Sequence, residues 1–312
     1  MHDDMRQNTI AILYPGEMGS TLGTVLLEAG FRVTTTTQGR SPRTERLCRE
    51  SGMTVVESLD DLLRQADIVI SLVPPGAALS VALDVVKHMS RYPQRLTYVD
   101  ANSISPMTVA QIAEALHGRP IDFLDAAIFG LAGQLRQRGS FYLSGPRAND
   151  LADQFRPLLR VKVLGDEPGQ ASALKMIVSA IPKGLSALFM ESLLLAHDMH
   201  LLNEALEACD EIYPSIMEII RRMLPTYPQH AARRCEELRE VEETMFMNGI
   251  YPGIVHAVRG VTSALARIDW RNNDTQLWSL PDIIMQIHSQ GMLEVAHTHI
   301  DEPLDERRRL HI

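Results

Sequence analysis

The first residues whose types and spacing suit chemistry form a short turn, Pro15-Gly16-Glu17-Met18-Gly19. It joins the apolar run TIAILY to an apolar helical segment ending at Glu28-Ala29-Gly30. A strand that runs straight into a glycine-bearing turn and then a helix is the layout of a dinucleotide-binding turn. Gly16 lets the backbone approach a pyrophosphate where no Cβ fits, and Gly19 lets the helix lie close on the strand. The helix N-terminus offers N–H groups and a positive dipole end to the anion. Tyr14 stands where the first glycine of the GxGxxG pattern belongs, and an ordinary turn between strand and helix fits the same residues. The second strand-like run ends TTTTQGRSPRT, without the acidic residue that binds the ribose hydroxyls of NAD. Arg40, Ser41, Arg43 and Thr44 stand there instead, and a guanidinium with hydroxyls suits a ribose 2′-phosphate, which points to NADPH. An exposed basic loop in which Ser41 only caps a helix is the alternative.

The elements that must position these groups follow from the apolar pattern. TIAILY, FRVTTTT, MTVV, DIVISLV, LTYVD, IDFLDAAI, FYLS and VKVL alternate with helical segments, as in a parallel sheet covered by helices. Helix start and stop signals stand between them: Ser41 with Pro42 and then Gly52, and Ser105 with Pro106 and then Gly118. After Asp166-Glu167-Pro168-Gly169 the strand pattern ends, and the remainder is rich in Leu, Met, Ala and Glu at helical spacing. The expected architecture is an α/β Rossmann domain with a doubly wound, mostly parallel sheet over residues 1–168, followed by an all-α domain over 169–312.

At this point the sequence resembles the β-hydroxyacid dehydrogenase superfamily, which includes 3-hydroxyisobutyrate and 6-phosphogluconate dehydrogenases and, more distantly, imine reductases. PGEMG corresponds to the family's GLGxMG turn and GRS to its NRT or NRS segment. SLVPP, with Val73 and Pro74, matches the loop that lies along the cofactor. DANSISP matches the substrate-binding DxST segment, DAAIFG stands for DAPVSGG, and GQASALKMIVS stands for the GxGxxxKxxNN helix. The wording of DANSISP and KMIVSAIPKG most resembles a branch whose helical half is known only as a domain of unknown function.

The resemblance implies that Lys175 exchanges a proton with the substrate oxygen while hydride moves to or from the nicotinamide. It also implies that Asn102 and Ser103 orient substrate and nicotinamide, and that Gly130 and Ser179 line the substrate site. An ammonium partly desolvated beside a cofactor has its pKa drawn toward neutrality, which suits a proton relay. Departures bear on the substrate. Val178 and Ser179 replace the family's two asparagines, and Pro182 stands where decarboxylating relatives carry their general acid. Phe129 and Leu131 remove groups expected to hold a carboxylate, so the pocket is expected to be less polar. Lys183, on the face of Lys175, is an expected anion clamp or second relay, with a solvated lysine as the alternative. The expected activity is NADPH-dependent hydride transfer on a small carbonyl or hydroxy compound. An imine reductase and a non-catalytic NADPH-binding sensor or scaffold are the other readings.

Composition narrows the partners. The 312 residues carry a formal charge of −9 with 45% hydrophobic residues, enough apolar content for two cores and the wrong sign for a phosphate backbone. Cys48, Cys209 and Cys235 form no CxxC pair, which suits a reducing compartment. The polar start MHDDMRQN has no signal-peptide pattern, and the apolar stretch 176–199 is interrupted by Lys183, Glu191, His197 and Asp198. A cytoplasmic protein with no membrane or nucleic-acid partner is expected, and the resemblance implies a homodimer. His197 and His200 lack a carboxylate partner motif, so no metal is expected. Trp270 and Trp278 flank RNNDTQ and either anchor a loop or line a pocket. The charged last twelve residues are expected to be a loose end.

Overall fold

A computed structural model describes residues 8–92, 94–270 and 278–290. The N-terminal start, the RNNDTQ stretch and the last twelve residues, on which expectations were placed above, lie outside them. Packing divides the chain into two units, Met1–Met176 and Ile177–Ile312.

The first unit is an eight-stranded sheet in the order β3-β2-β1-β4-β5-β6-β7-β8. In chain order it runs β1 (Thr9–Leu13), α1 (Glu17–Glu28), β2 (Arg32–Thr36), α2 (Pro42–Ser51), β3 (Thr54–Val56), α3 (Leu59–Gln65), β4 (Ile68–Ser71) and α4 (Ala78–Met89). It continues through β5 (Leu96–Asp100), α5 (Pro106–Leu116), β6 (Ile121–Phe129), the short α6 (Leu135–Arg138), β7 (Ser140–Ser144), α7 (Ala148–Phe155) and β8 (Arg160–Gly165). Every neighbouring pair is parallel except β6 with β7. All eight expected strand runs therefore form strands, and the sheet is mostly parallel as expected. Strand order reverses direction between β1 and β4, which leaves a crevice at the carboxyl ends of these strands.

The core sits on both faces because β1 is buried throughout. Ile10 and Ile12 pack on one face with Leu22 and Leu26 of α1. Ala11 and Leu13 pack on the other with Leu62 of α3 and Val81 of α4. The helix starts behave as read: the Ser41 side chain accepts from Thr44 N and the Ser105 side chain from Thr108 N, each ahead of a proline.

Helix α8 (Gln170–Asp198) opens after the sheet, and the division between units falls inside it; the boundary expected near Gly169 is at its first turn. The second unit holds the rest of α8 with α9 (Leu202–Ile212), α10 (Pro214–Met223), α11 (Tyr227–Met247), α12 (Gly253–Ala266) and α13 (Leu280–Ser289). Its core includes Met190, Leu194, Ile220, Leu238, Leu265 and Ile284. Trp270 is buried, donates to Leu265 O at 3.2 Å and meets Trp278 edge to face. The His197 ring packs against His288, and no metal-ligating cluster occurs among the described residues.

Candidate functional site

Strand β1 delivers the chain to the turn at the carboxyl edge of the sheet. Gly16 sits at the N-terminus of α1 with no side-chain cap, so the first-turn amides lack the usual serine or aspartate acceptor. A Cβ built on Gly16 meets nothing within 4 Å, whereas one built on Gly19 lies 3.3 Å from both Ile12 Cγ2 and Pro15 Cβ. The two glycines thus do different work: Gly16 keeps space open at the helix mouth, and Gly19 lets α1 approach β1. Both are what a bound pyrophosphate requires. Pro15 is buried, Met18 is half-buried on the core, and Glu17 is exposed.

Past β2, Arg40 lies over the Tyr14 ring, its guanidinium carbon 4.0 Å from the centroid. Ser41 caps α2, with Thr44 Oγ1 3.2 Å from its hydroxyl. Arg43 pairs with Glu17, joining the start of α2 to the first turn of α1. Arg40 and Arg43 therefore stand beside the glycine turn, with Ser41 and Thr44 next to them at the start of α2.

Two buried aspartates organise the next strand ends. Asp100 closes β5 and is fully buried; it accepts from Asn102 N at 3.0 Å and from Asn102 Nδ2 at 2.8 Å. The Asn102 amide also donates to Ser71 Oγ, and its oxygen accepts from Val73 N at 2.6 Å. Every polar atom of the Asn102 side chain is thus engaged within the fold, bracing the Val73–Pro74 loop against β5. Burial pushes the Asp100 carboxyl up to about 7, against the Asn102 hydrogen bonds that lower it. Ser103 follows, half-buried.

On β6, in register with Asp100, stands Asp125. Its carboxylate accepts from Gly169 N at 2.9 Å, Ser172 N at 3.0 Å, Ser172 Oγ at 2.6 Å and Ser144 Oγ at 2.9 Å. These bonds satisfy amides at the start of α8, where Gly169 has φ +107°, a conformation that favours glycine. Lys175 lies just beyond, half-buried. Its ammonium donates to Ile128 O at 2.5 Å and sits 4.6 Å from the centroid of the Phe129 ring. Phe129, expected to make the pocket less polar, forms one side of the lysine's seat. Gly130 has φ +123°, and a Cβ there would come within 3.1 Å of Gly139 Cα, so the backbone itself calls for glycine.

Ser179 and Lys183 belong to the helical unit. Lys183 is buried and paired with Glu237 at 3.0 Å, and it donates to Ser179 O at 3.1 Å. Burial lowers its pKa, although Glu237 opposes the shift. The alternative of a solvated lysine is excluded.

Asp100 and Asp125 were not singled out in the sequence, although both lay in quoted segments. Their signal was an acid inside an apolar run that reads as a buried strand, where a carboxylate requires dedicated partners.

Residues 9–161 match the family model of the NAD binding domain of 6-phosphogluconate dehydrogenase, and residues 196–265 match a domain of unknown function, DUF1932. A conserved protein, MTH1747, has a solved structure described as similar to 3-hydroxyacid dehydrogenases. It is 33% identical, with a TM-score of 0.61 over 82% of this chain and 96% of that one. An uncharacterized 28.5 kDa protein of Methanothermus fervidus is 29% identical over 79% of this chain and 94% of its own length. The 3-hydroxyisobutyrate dehydrogenase of Pseudomonas aeruginosa is 29% identical over 48% of this chain and 50% of its own. With the sheet order, the glycine turn and the helical second unit already in place, the chain belongs to the 6-phosphogluconate dehydrogenase superfamily of nucleotide-binding proteins, in the branch whose C-terminal region is DUF1932.

Proposed function

We propose that this protein is an NADPH-dependent oxidoreductase acting on a small carbonyl or hydroxy compound, with Lys175 as its proton carrier. The observation that carries this reading is the placement of Lys175, half-buried between a backbone carbonyl and an aromatic face, within the same unit as the glycine turn. Bound nicotinamide supplies or takes the hydride. In the reductive direction Lys175 donates a proton to the substrate oxygen, and in the oxidative direction it removes one. Ile128 O holds the ammonium in a defined direction, and the Phe129 ring keeps water from one side of it. Gly16 and the first-turn amides of α1 receive the pyrophosphate, and Arg40, Ser41, Arg43 and Thr44 receive the 2′-phosphate. Asn102 serves through the loop that it braces.

A homodimer accompanies this reading. Ile177, Ile181, Leu188 and Leu195 of α8 are 59–62% exposed and recur at helical spacing along one face, roughly 27 Å long. The same stripe on a second copy is self-complementary about a twofold axis. Ile181→Glu with Leu188→Glu is expected to shift the protein from dimer to monomer in sedimentation; an unchanged dimer would refute this interface. Free Cys48, Cys209 and Cys235 fit a reducing, cytoplasmic setting.

The test is a titration with NADPH and NADH, followed by a substrate panel. The panel begins with 3-hydroxyisobutyrate and NADP⁺, and extends to short aldehydes, keto acids and cyclic imines with NADPH. Tighter NADPH binding and turnover on a carbonyl or alcohol that Lys175→Ala abolishes is the expected result. Binding of neither nucleotide at millimolar concentration would end the enzyme reading.

A further inference from the structure

The start of α8 is held from the sheet rather than by its own sequence. Gly169, at the mouth of the helix, has no side chain with which to cap it. The Asp125 carboxylate reaches across from β6 to take Gly169 N, Ser172 N and Ser172 Oγ. Ser144 Oγ donates to the same carboxylate and accepts from Ala171 N at 3.1 Å. Asp125, Ser144 and Ser172 are all fully buried, so water does not substitute for any of these bonds. Three residues farther along β6, Ile128 O receives Lys175 Nζ. One strand therefore fixes both the origin of the helix and the direction of the lysine that projects from its second turn.

We propose that Asp125 is the positioning residue for Lys175, acting by capping α8 from the sheet; the proposal rests on the reading of Lys175 as proton carrier. Its carboxylate sets where α8 begins, and therefore how far Lys175 reaches past Phe129. Displacement of a reacting group by about 1 Å costs on the order of a hundredfold in rate. The length of the Asp125 side chain thus bears on turnover without touching substrate.

The chain has four lysines, Lys87, Lys162, Lys175 and Lys183, so trace acetylation of the full-length protein with acetic anhydride, read by mass spectrometry, resolves each amine. Exposed Lys87 and Lys162 are the references, and buried Lys183 reports on integrity of the helical unit. Loosening of the helix start frees Lys175 Nζ from Ile128 O, so Asp125→Ala is expected to raise Lys175 acetylation about three- to tenfold relative to Lys87. It is expected to lower kcat about tenfold or more and to leave NADPH affinity within about twofold. Asp125→Asn keeps an oxygen where Gly169 N, Ser172 N and Ser144 Oγ donate, and is expected to restore most of kcat. Folded Asp125→Ala with unchanged Lys175 acetylation and kcat would overturn the proposal. So would an equal rise in Asp100→Asn, or a parallel rise at Lys183, because either means general loosening. Should Asp125→Ala fail to fold, Ser172→Ala removes one capping bond; no change in its Lys175 acetylation overturns the proposal in the same way. Full activity in Lys175→Ala would sink the proton-carrier reading instead, while acetylation still reports on positioning.

Discussion

Arg40 lies over the ring of Tyr14, 4.0 Å from guanidinium carbon to centroid. Tyr14 is the residue that departs from the glycine pattern of the turn, and the departure gives the guanidinium a platform beside the open mouth of α1. An exposed cation–π contact contributes about 0.5–1 kcal/mol, so Tyr14→Leu is expected to weaken NADPH binding about two- to fivefold through a less ordered Arg40. Arg40→Ala removes the charged partner proposed for the 2′-phosphate and is expected to weaken NADPH roughly tenfold or more, with NADH nearly unchanged. Calorimetric titration of both nucleotides checks this; equal losses for NADPH and NADH would mean that Arg40 does not read the phosphate.

Lys183 and Glu237 form an ion pair with side chains 5% and 9% exposed. Removing one member of such a pair leaves a buried charge and costs about 3 kcal/mol or more, whereas replacing both with apolar groups is far better tolerated. Arg233 also pairs with Glu237 but is itself half exposed, so it offsets the Glu237 charge only in part when Lys183 is removed and remains solvated when Glu237 is. Lys183→Met is therefore expected to lower the urea midpoint sharply, and Lys183→Met with Glu237→Leu to recover most of the loss. A neutral single variant would contradict the structural role.

These residues mark where sequence reading reaches its limit. The strands and the capped helices were legible because their signals are local: β-branched runs, Ser41-Pro42, Ser105-Pro106. Gly16 and Gly19 were legible because spacing alone separates open space from close packing. Asp125 was not, since its partners Gly169 and Ser172 lie 44 and 47 residues away and only the sheet brings them together. The choice between a solvated and an engaged Lys183 likewise depended on Glu237, a residue of another helix. The resemblance implies that Asn102 orients substrate and nicotinamide, and says nothing of what holds Asn102 itself. Its amide is engaged by Asp100, Ser71 and Val73, a fact about strand neighbours.

The Asp100 carboxyl gives a pH dependence of known sign. Its folded pKa is raised to about 7 from 3.8, so between these values the folded protein binds more protons than the unfolded chain. Stability from this group is then present below about pH 4 and declines as pH rises through 7, by a total on the order of 4 kcal/mol. Asp100→Asn does not titrate. The stability difference between wild type and Asp100→Asn, measured by urea unfolding from pH 4 to pH 8, is expected to move in favour of the variant as pH rises. A difference independent of pH would show that Asp100 does not titrate in this window.

Lys175 offers the sharpest separation of chemistry from binding. Its ammonium donates to a backbone carbonyl and lies over an aromatic face, and the residue is only half-buried, so Lys175→Met, an unbranched side chain of similar length, is expected to fold with little loss of stability. Removing a proton carrier costs about 10²–10⁴ in kcat, while the nucleotide contacts proposed at Gly16 and Arg40 are untouched, so NADPH affinity is expected to stay within about twofold. Lys175→Arg preserves the charge and the contact with Phe129, but a guanidinium does not give up its proton near neutral pH, so it is expected to be as slow as Lys175→Met. If Lys175→Arg instead turns over like wild type, the residue acts through its positive charge and the proton must come from elsewhere.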